Sequence, residues 1–309
     1  MEVIKISPRG YCHGVVDAIA QMKHIAGDPS VERPIHILGK VVHNQKIVDD
    51  LEALGLRTVH EEGVSRLELL DRVDRGTVVF TAHGVSDSVY NKAVSRGLNV
   101  IDTTCRDVRT SQRTIAEHLE KGYDVLFIGK ENHPESETAT GYEGVHLITS
   151  VKDVESFSTH NKHIAVTNQT TMSLFDIYSI HKAIQKRFPD ATLIDEVCDA
   201  TRMRQLAIKN QPADVEHCFV VGDRHSNNSN KLRDVSMQAG VPATLVESVE
   251  DIKIGLLQGL RKVSVTSGAS TPTAITREVI EFLTAYDPSD ASTHRTRSQV
   301  KQRNLFLKE

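Results

Sequence analysis

The sequence predicts an α/β fold built from three pseudo-threefold-related α/β units, a trefoil around a central cavity. Three recurring landmarks predict it. Cys12, Cys105 and Cys198 are spaced by 93 residues and then again by 93. Each ends a stretch that opens with a short β-branched run: KISPRGYC, VIDTTC and LIDEVC. Gly39, Gly129 and Gly222 close a second apolar run, and Thr81, Thr167 and Thr266 open a polar loop after a third. The landmarks fall in the same order in all three thirds of the chain, which is the signature of an internal repeat.

Every unit therefore reads strand–Cys–helix, strand–Gly–loop–helix, strand–Thr–loop–helix. The helical periods after the cysteines cover Val15 to Ile25, Val108 to Leu119 and Arg202 to Lys209. Strands alternating with helices at this spacing form parallel sheets. Ligands of such sheets bind beyond the carboxyl ends of the strands, so the nine strand-end loops are the expected site. The units are expected at 13–102, 103–196 and 197–285, with an N-terminal strand in 1–12 packed near the third. The polar stretch 286–309 is expected to be a loosely packed tail.

With 309 residues the chain can bury a sizeable core. A net charge of −4 argues against a dedicated nucleic-acid binder, which is usually basic. No apolar run is long enough to span a bilayer, and the start MEVIKISPRG lacks a signal core, so a cytoplasmic protein is expected. Four cysteines are too few for a disulfide scaffold.

Cys218 lies inside the apolar run HCFVV and reads as a core residue. The other three stand at strand-to-helix junctions, where a helix N-terminus favours thiolate. The absence of a C-x-x-C pair argues against a zinc ribbon. Three isolated thiolates suit an iron–sulfur cluster with one iron not held by protein, with a three-Cys zinc site as the alternative. His43, His83 and His133 follow β-runs at or beside the landmarks, and SNNSN (226–230) and SGAST (267–271) follow others. Together they offer hydrogen-bond donors suited to phosphate or diphosphate, without a Walker loop or a G-x-G-x-x-G fingerprint. Glu135, in His133-Pro134-Glu135, is the carboxylate placed to donate a proton from an enclosed pocket. Glu137 reads as a solvated loop residue. Gln169, Thr170 and Thr171 could orient a substrate alcohol.

The motifs PRGYC, VVHN, TAHGVS, D-x-TC, NHPE, TNQTTMS, C-x-AT, SNNSN and GASTP occur in that order. In them the chain resembles the LytB/IspH family of 4-hydroxy-3-methylbut-2-enyl diphosphate reductases, from about Lys5 to Leu283. The resemblance implies reductive removal of an allylic hydroxyl. The products would be isopentenyl and dimethylallyl diphosphate, at the last step of non-mevalonate isoprenoid biosynthesis. It implies a 4Fe–4S cluster on Cys12, Cys105 and Cys198 with one open iron. It implies diphosphate binding by His43, His83, Ser226, Asn227, Asn228 and Ser270, with Asn227 where many members carry a second Ser. His133, Glu135 and Thr170 would manage the substrate alcohol and protons. Ferredoxin or flavodoxin would be the electron donor.

The chain departs from the family pattern after each cysteine. His13, Arg106 and Asp199 stand where members usually hold a small, aromatic or aliphatic residue, a Pro, and an aromatic or aliphatic residue. Thr138 replaces a Gly common after the HPE loop. Polar neighbours shift the potential of a cluster, so an altered cluster environment is expected. Two other readings compete with the reductase: a divergent cluster-dependent lyase on a related scaffold, and a non-catalytic iron–sulfur sensor. Glu135 favours catalysis, and the His/Ser/Asn set favours diphosphate over dicarboxylate.

Overall fold

The structure is a computed structural model and describes residues 1–294, 296–300 and 306. Among these residues it holds three four-stranded sheets, all parallel. The chain opens with β1 (Glu2–Lys5), α1 (His13–Gly27), β2 (Ile35–Leu38), α2 (Gln45–Glu52), β3 (Leu56–Val59), α3 (Arg66–Leu69), β4 (Thr77–Phe80), α4 (Asp87–Ser95) and β5 (Asn99–Asp102). It continues through α5 (Arg106–Glu120), β6 (Asp124–Ile128), α6 (Pro134–Thr140), β7 (Val145–Ile148), α7 (Val151–Ser156), β8 (Ile164–Asn168), α8 (Leu174–Arg187) and β9 (Thr192–Leu193). The last third holds α9 (Asp199–Lys209), β10 (His217–Val221), α10 (Asn227–Gln238), β11 (Ala243–Val246), α11 (Ile254–Leu257), β12 (Lys262–Ser267) and α12 (Thr273–Ala285).

The three sheets have one strand order: β3-β2-β4-β5, β7-β6-β8-β9 and β11-β10-β12-β1. Parallel neighbours need a crossover, and the intervening helices supply it. The inner strands β2, β4, β8 and β10 are buried along their whole length, as strands covered on both faces must be. Phe80, Phe127 and Phe219 are the largest wholly buried side chains. Each contributes roughly 1.5–3 kcal/mol by leaving water.

The described residues of 1–16, 42–53 and 199–306 form one compact unit, and residues 17–41 and 54–198 form another. The first contains the sheet β11-β10-β12-β1 and a core of Phe219, Val263, Val265, Ile275 and Val279. The second contains the other two sheets, with separate cores around Phe80 and Phe127 and around Leu126 and Ile128.

Strand register tests the landmarks. Leu38 pairs with Phe80, Ile128 with Asn168 and Val221 with Ser267, so Gly39, Gly129 and Gly222 are equivalent: each is the first residue past its strand. The amide of each donates to the edge strand, at Val59, Ile148 and Val246. The Thr landmarks are not equivalent. Thr167 and Thr266 pair inside their strands, whereas Thr81 is the first residue after β4. Thr81 matches Gln169 and Gly268 instead.

The helices after the cysteines begin at the next residue in each case, earlier than the apolar period suggests, because each opens with polar or small residues: His13-Gly14, Arg106-Asp107 and Asp199-Ala200. The tail expectation needs correction. Tyr286 and Val300 are buried in the first unit's core, and Ser298 donates from Oγ to Glu278 at 2.7 Å and from its amide to Glu250 at 3.0 Å. Tyr286, Ser298 and Val300 are thus packed, while residues 287–292 between them are exposed. Residues 295, 301–305 and 307–309 of that tail lie outside the described residues.

Candidate functional site

One device holds all three cysteines. The amide of Cys12 donates to Ala269 at 3.0 Å, that of Cys105 to Ala82 at 3.0 Å and that of Cys198 to Thr170 at 3.1 Å. Each acceptor is two residues past the end of its strand: β12, β4 and β8. Each cysteine then immediately precedes a helix, and the carbonyls of Cys12 and Cys105 accept from the first turn at 3.0 and 2.9 Å. None of the four cysteines is bridged to another among the described residues; the three are half-buried and Cys218 is wholly buried. Three half-buried thiols, each at a helix start and none in a disulfide, are donors of the type that fits an iron–sulfur cluster. Burial pushes the Cys218 thiol up, as suits a core residue.

The first unit pins the Cys12 loop with Gly10, which adopts φ +79° and donates to Ser267 Oγ at 2.7 Å. Buried Arg204 of α9 donates to the Gly10 carbonyl at 2.7 Å and to Ala200 at 2.8 Å. Ser270 Oγ donates to the His43 carbonyl at 3.3 Å. Asn44, the residue after His43, caps α2, while Ser226 caps α10 and His133 caps α6. Asp223 joins the loops, accepting from the Gln45 amide at 3.2 Å and the His225 amide at 2.7 Å. Asn227 and Asn228 occupy the first turn of α10 and are buried. Neither amide atom of Asn228 has a hydrogen-bond partner among the described residues. Leaving such a group buried costs about 1–3 kcal/mol, a cost that a polar ligand offsets. Gly222 and Gly268 are glycines for a plain reason: a Cβ would lie 2.2 and 2.1 Å from Ser229 Oγ.

The second unit links the remaining candidates in a continuous chain of contacts. Cys198 donates to the Thr170 carbonyl. The Thr170 amide and hydroxyl donate to the Glu135 carboxyl at 2.9 and 3.1 Å. The Glu135 amide donates to His133 Nδ1 at 3.2 Å. His133 meets His83 edge to face, with centroids 5.8 Å apart. His83 follows Ala82, whose carbonyl holds Cys105. Burial raises the Glu135 carboxyl to about 7, against the Thr170 hydrogen bonds and the Arg66 charge, with Asp107 adding to the rise. It is the environment of a carboxylic acid that holds its proton near neutrality.

Three residues escaped sequence reasoning. Arg66 is 4% exposed, and its Nη2 donates to Thr81 Oγ1 at 3.2 Å. Thr81 is not merely a landmark, for its Oγ1 lies 3.3 Å from His83 Nδ1. Glu137 is not a solvated loop residue: it accepts from the Arg66 amide at 2.7 Å. The one readable signal near Arg66 is the capping box Ser65-x-x-Glu68, which marks a helix start and says nothing of burial. Gln169, expected near a substrate alcohol, braces the loop by accepting from the Lys130 amide at 3.1 Å and donating to Thr171 at 2.8 Å. Thr138 is buried within α6 and donates back to the Pro134 carbonyl at 2.9 Å.

The residues after the cysteines are now placed. Arg106 and Asp199 are exposed at the first positions of α5 and α9, and Arg106 lies 3.7 Å from its neighbour Asp107. His13 is half-buried at the start of α1.

Three like α/β sheets, each with a cysteine held by one and the same backbone device, define an α/β protein of three repeated thiol-bearing loops. The chain belongs to the LytB protein family, whose model matches residues 3–284. It is 47% identical over 311 residues to a 4-hydroxy-3-methylbut-2-enyl diphosphate reductase of Geobacillus kaustophilus, covering 100% of this chain and 98% of the relative. It is 49% identical over 291 residues to the protein of that name from Symbiobacterium thermophilum, covering 93% and 98%. Among solved structures it is similar to the E-1-hydroxy-2-methyl-but-2-enyl-4-diphosphate reductase of Plasmodium falciparum. That match has a TM-score of 0.85 and 28% identity and covers 93% of this chain and 89% of that one. No helix among the described residues is long and apolar enough to cross a membrane.

Proposed function

We propose that the protein reductively removes the allylic hydroxyl of 4-hydroxy-3-methylbut-2-enyl diphosphate, giving isopentenyl and dimethylallyl diphosphate. The observation that carries the reading is the Glu135 carboxyl, buried, held by both donors of Thr170 and raised to about 7. Losing a hydroxyl as water requires a proton, and Glu135 is the group built to hold one at neutral pH. That favours the reductase over a sensor, which needs no proton donor.

By motif position, Cys12, Cys105 and Cys198 would hold a 4Fe–4S cluster, leaving one iron without a protein ligand. When bound, the cluster supplies electrons and a Lewis-acid site for the substrate oxygen. Electrons arrive from a ferredoxin or flavodoxin, and the enzyme works in the cytoplasm. The polypeptide binds, orients and donates protons. Also by motif position, the diphosphate falls to His43, His83, Ser226, Asn227, Asn228 and Ser270. Asn228, with its unsatisfied amide, supports that assignment. Thr170 and His133 hold the substrate alcohol beside Glu135, which delivers the proton to the departing oxygen. The backbone donation from Glu135 to His133 Nδ1 leaves Nε2 as the ring N–H, so His133 acts as a donor. We read 13–102, 103–196 and 197–285 as three copies of one unit, the common strand order and the common cysteine device supporting this.

The test is anaerobic turnover of the allylic diphosphate with a chemical reductant, beside Glu135→Gln. The wild type should be brown and active, and the variant should bind substrate and turn over poorly. Colourless protein carrying stoichiometric zinc after anaerobic reconstitution would end the cluster reading.

A further inference from the structure

Arg66 is a buried charged residue, on a contact path to His83, that the reaction as described does not use. A buried guanidinium is costly unless its donors are met. Here Nε and Nη1 have no hydrogen-bond partner among the described residues, and Nη1 lies 3.9 Å from Glu137 Oε2. The group is placed with some care nonetheless. Gly39, at φ +87°, gives it room: a Cβ there would stand 3.3 Å from Nη2 and 3.4 Å from Nε. The Arg66 amide is tied to Glu137 on α6, the helix that also carries Glu135. What the remaining nitrogen does is donate to Thr81.

A guanidinium can only donate, so Thr81 Oγ1 accepts from it and the Thr81 hydroxyl proton is directed elsewhere. The other neighbour of that oxygen is His83 Nδ1, at 3.3 Å. A hydroxyl that gives its proton to Nδ1 leaves the neutral ring with its own proton on Nε2. A nearby cation polarises the hydroxyl and strengthens this direction. His133 reaches the same tautomer by a different route, through the Glu135 amide. The two rings in edge contact thus share one protonation pattern, each with Nε2–H as a donor for an anionic oxygen.

We propose that Arg66 is a positioning residue which, through Thr81, fixes His83 as an Nε2–H donor to the substrate diphosphate. This rests on the diphosphate reading of the site given above. The competing account is a purely structural tie between α3 and α6.

The test is a double-mutant cycle on anaerobically purified protein, with inorganic pyrophosphate as the probe and histidine-selective 15N spectra as the second readout. Arg66→Leu should weaken pyrophosphate about tenfold, the scale of one lost hydrogen bond of this kind. It should weaken it no further in a His83→Ala background, because residues acting through one contact are not additive. Thr81→Val keeps the Arg66–Glu137 tie and should match Arg66→Leu, which covers the case in which Arg66→Leu does not fold. The wild-type His83 ring should show the Nε2–H pattern, and either variant should mix in the other tautomer. Additive losses, or a Thr81→Val protein that binds like wild type, would overturn the proposal. If the wild type neither binds pyrophosphate nor turns over, the diphosphate reading fails. The positioning role then stands or falls on whether the His83 tautomer changes in Thr81→Val.

Discussion

Thr170 gives both of its donors, the backbone amide at 2.9 Å and the side-chain hydroxyl at 3.1 Å, to the carboxyl of Glu135. The same residue accepts from the Cys198 amide through its carbonyl. A single loop position thus sets the geometry of the proton donor and of one thiol. Burial raises Glu135, and the two Thr170 bonds hold the rise to a value of about 7. The result is an acid that is neither permanently ionised nor inert.

Turnover should therefore depend on the protonated fraction of Glu135. The rate is expected to fall as pH rises through about 7. Thr170→Val removes one bond to the charged form, so the falling limb should move to higher pH by roughly one unit, the worth of about 1.4 kcal/mol. Glu135→Gln should lose on the order of 10²–10⁴-fold in kcat with little change in KM. A pH–rate series on the three proteins decides this; a Thr170→Val limb that moves to lower pH contradicts it.

Much of this arrangement was legible in the sequence because the repeat writes it three times. The three glycines are equivalent by register, and the cysteines share one backbone device, as their even spacing implied. Thr81 was misaligned by two residues, because a threonine just beyond one strand resembles threonines inside two others. The histidine of VVHN is conspicuous in the sequence, yet the residue that caps the helix after it is its neighbour Asn44. Arg66 was invisible for a deeper reason. An arginine in SRLELL reads as a solvated helix residue, and only the tertiary fold places it over Gly39 and against Thr81. The two compact units were equally unreadable, since one gathers three separated segments.

Stability should carry the signature of the same carboxyl. Its folded value lies above the ordinary 4.5, so between about 4.5 and about 7 the native state binds more protons than the unfolded chain. Stability then falls as pH rises through that window, by at most about 3 kcal/mol. Glu135→Gln lacks this loss. The melting temperature of the variant relative to wild type should climb between pH 5 and pH 7.5; a constant difference would show that Glu135 ionises as an ordinary carboxyl.

Iron should track three cysteines and ignore the fourth. Cys12→Ser, Cys105→Ser and Cys198→Ser are each expected to lose the brown colour and most of the iron and sulfide. Cys218→Ala should keep both, because Cys218 is wholly buried in β10. Its cost is the small cavity it leaves, on the order of 1 kcal/mol. Anaerobic iron analysis with thermal melts separates the two groups, and iron lost from Cys218→Ala would show a role that its burial does not suggest.

The polar residues after the cysteines are best judged at Arg106. It occupies the first position of α5, where Pro is favoured because its missing amide is unbonded in any helix. The preceding Cys105 has φ −58° and ψ 142°, the extended conformation that a following proline demands. The side chain is exposed and touches only its neighbour Asp107 among the ion pairs of the described residues. Arg106→Pro should therefore be accepted without rearrangement and raise stability by about 0.4–1 kcal/mol through the unfolded chain. If Arg106 only faces solvent, the cluster potential and its lifetime in oxygen should match wild type. A shifted potential in this variant, measured beside the melt, would instead establish that Arg106 acts on the cluster, as the departure from the family pattern first suggested.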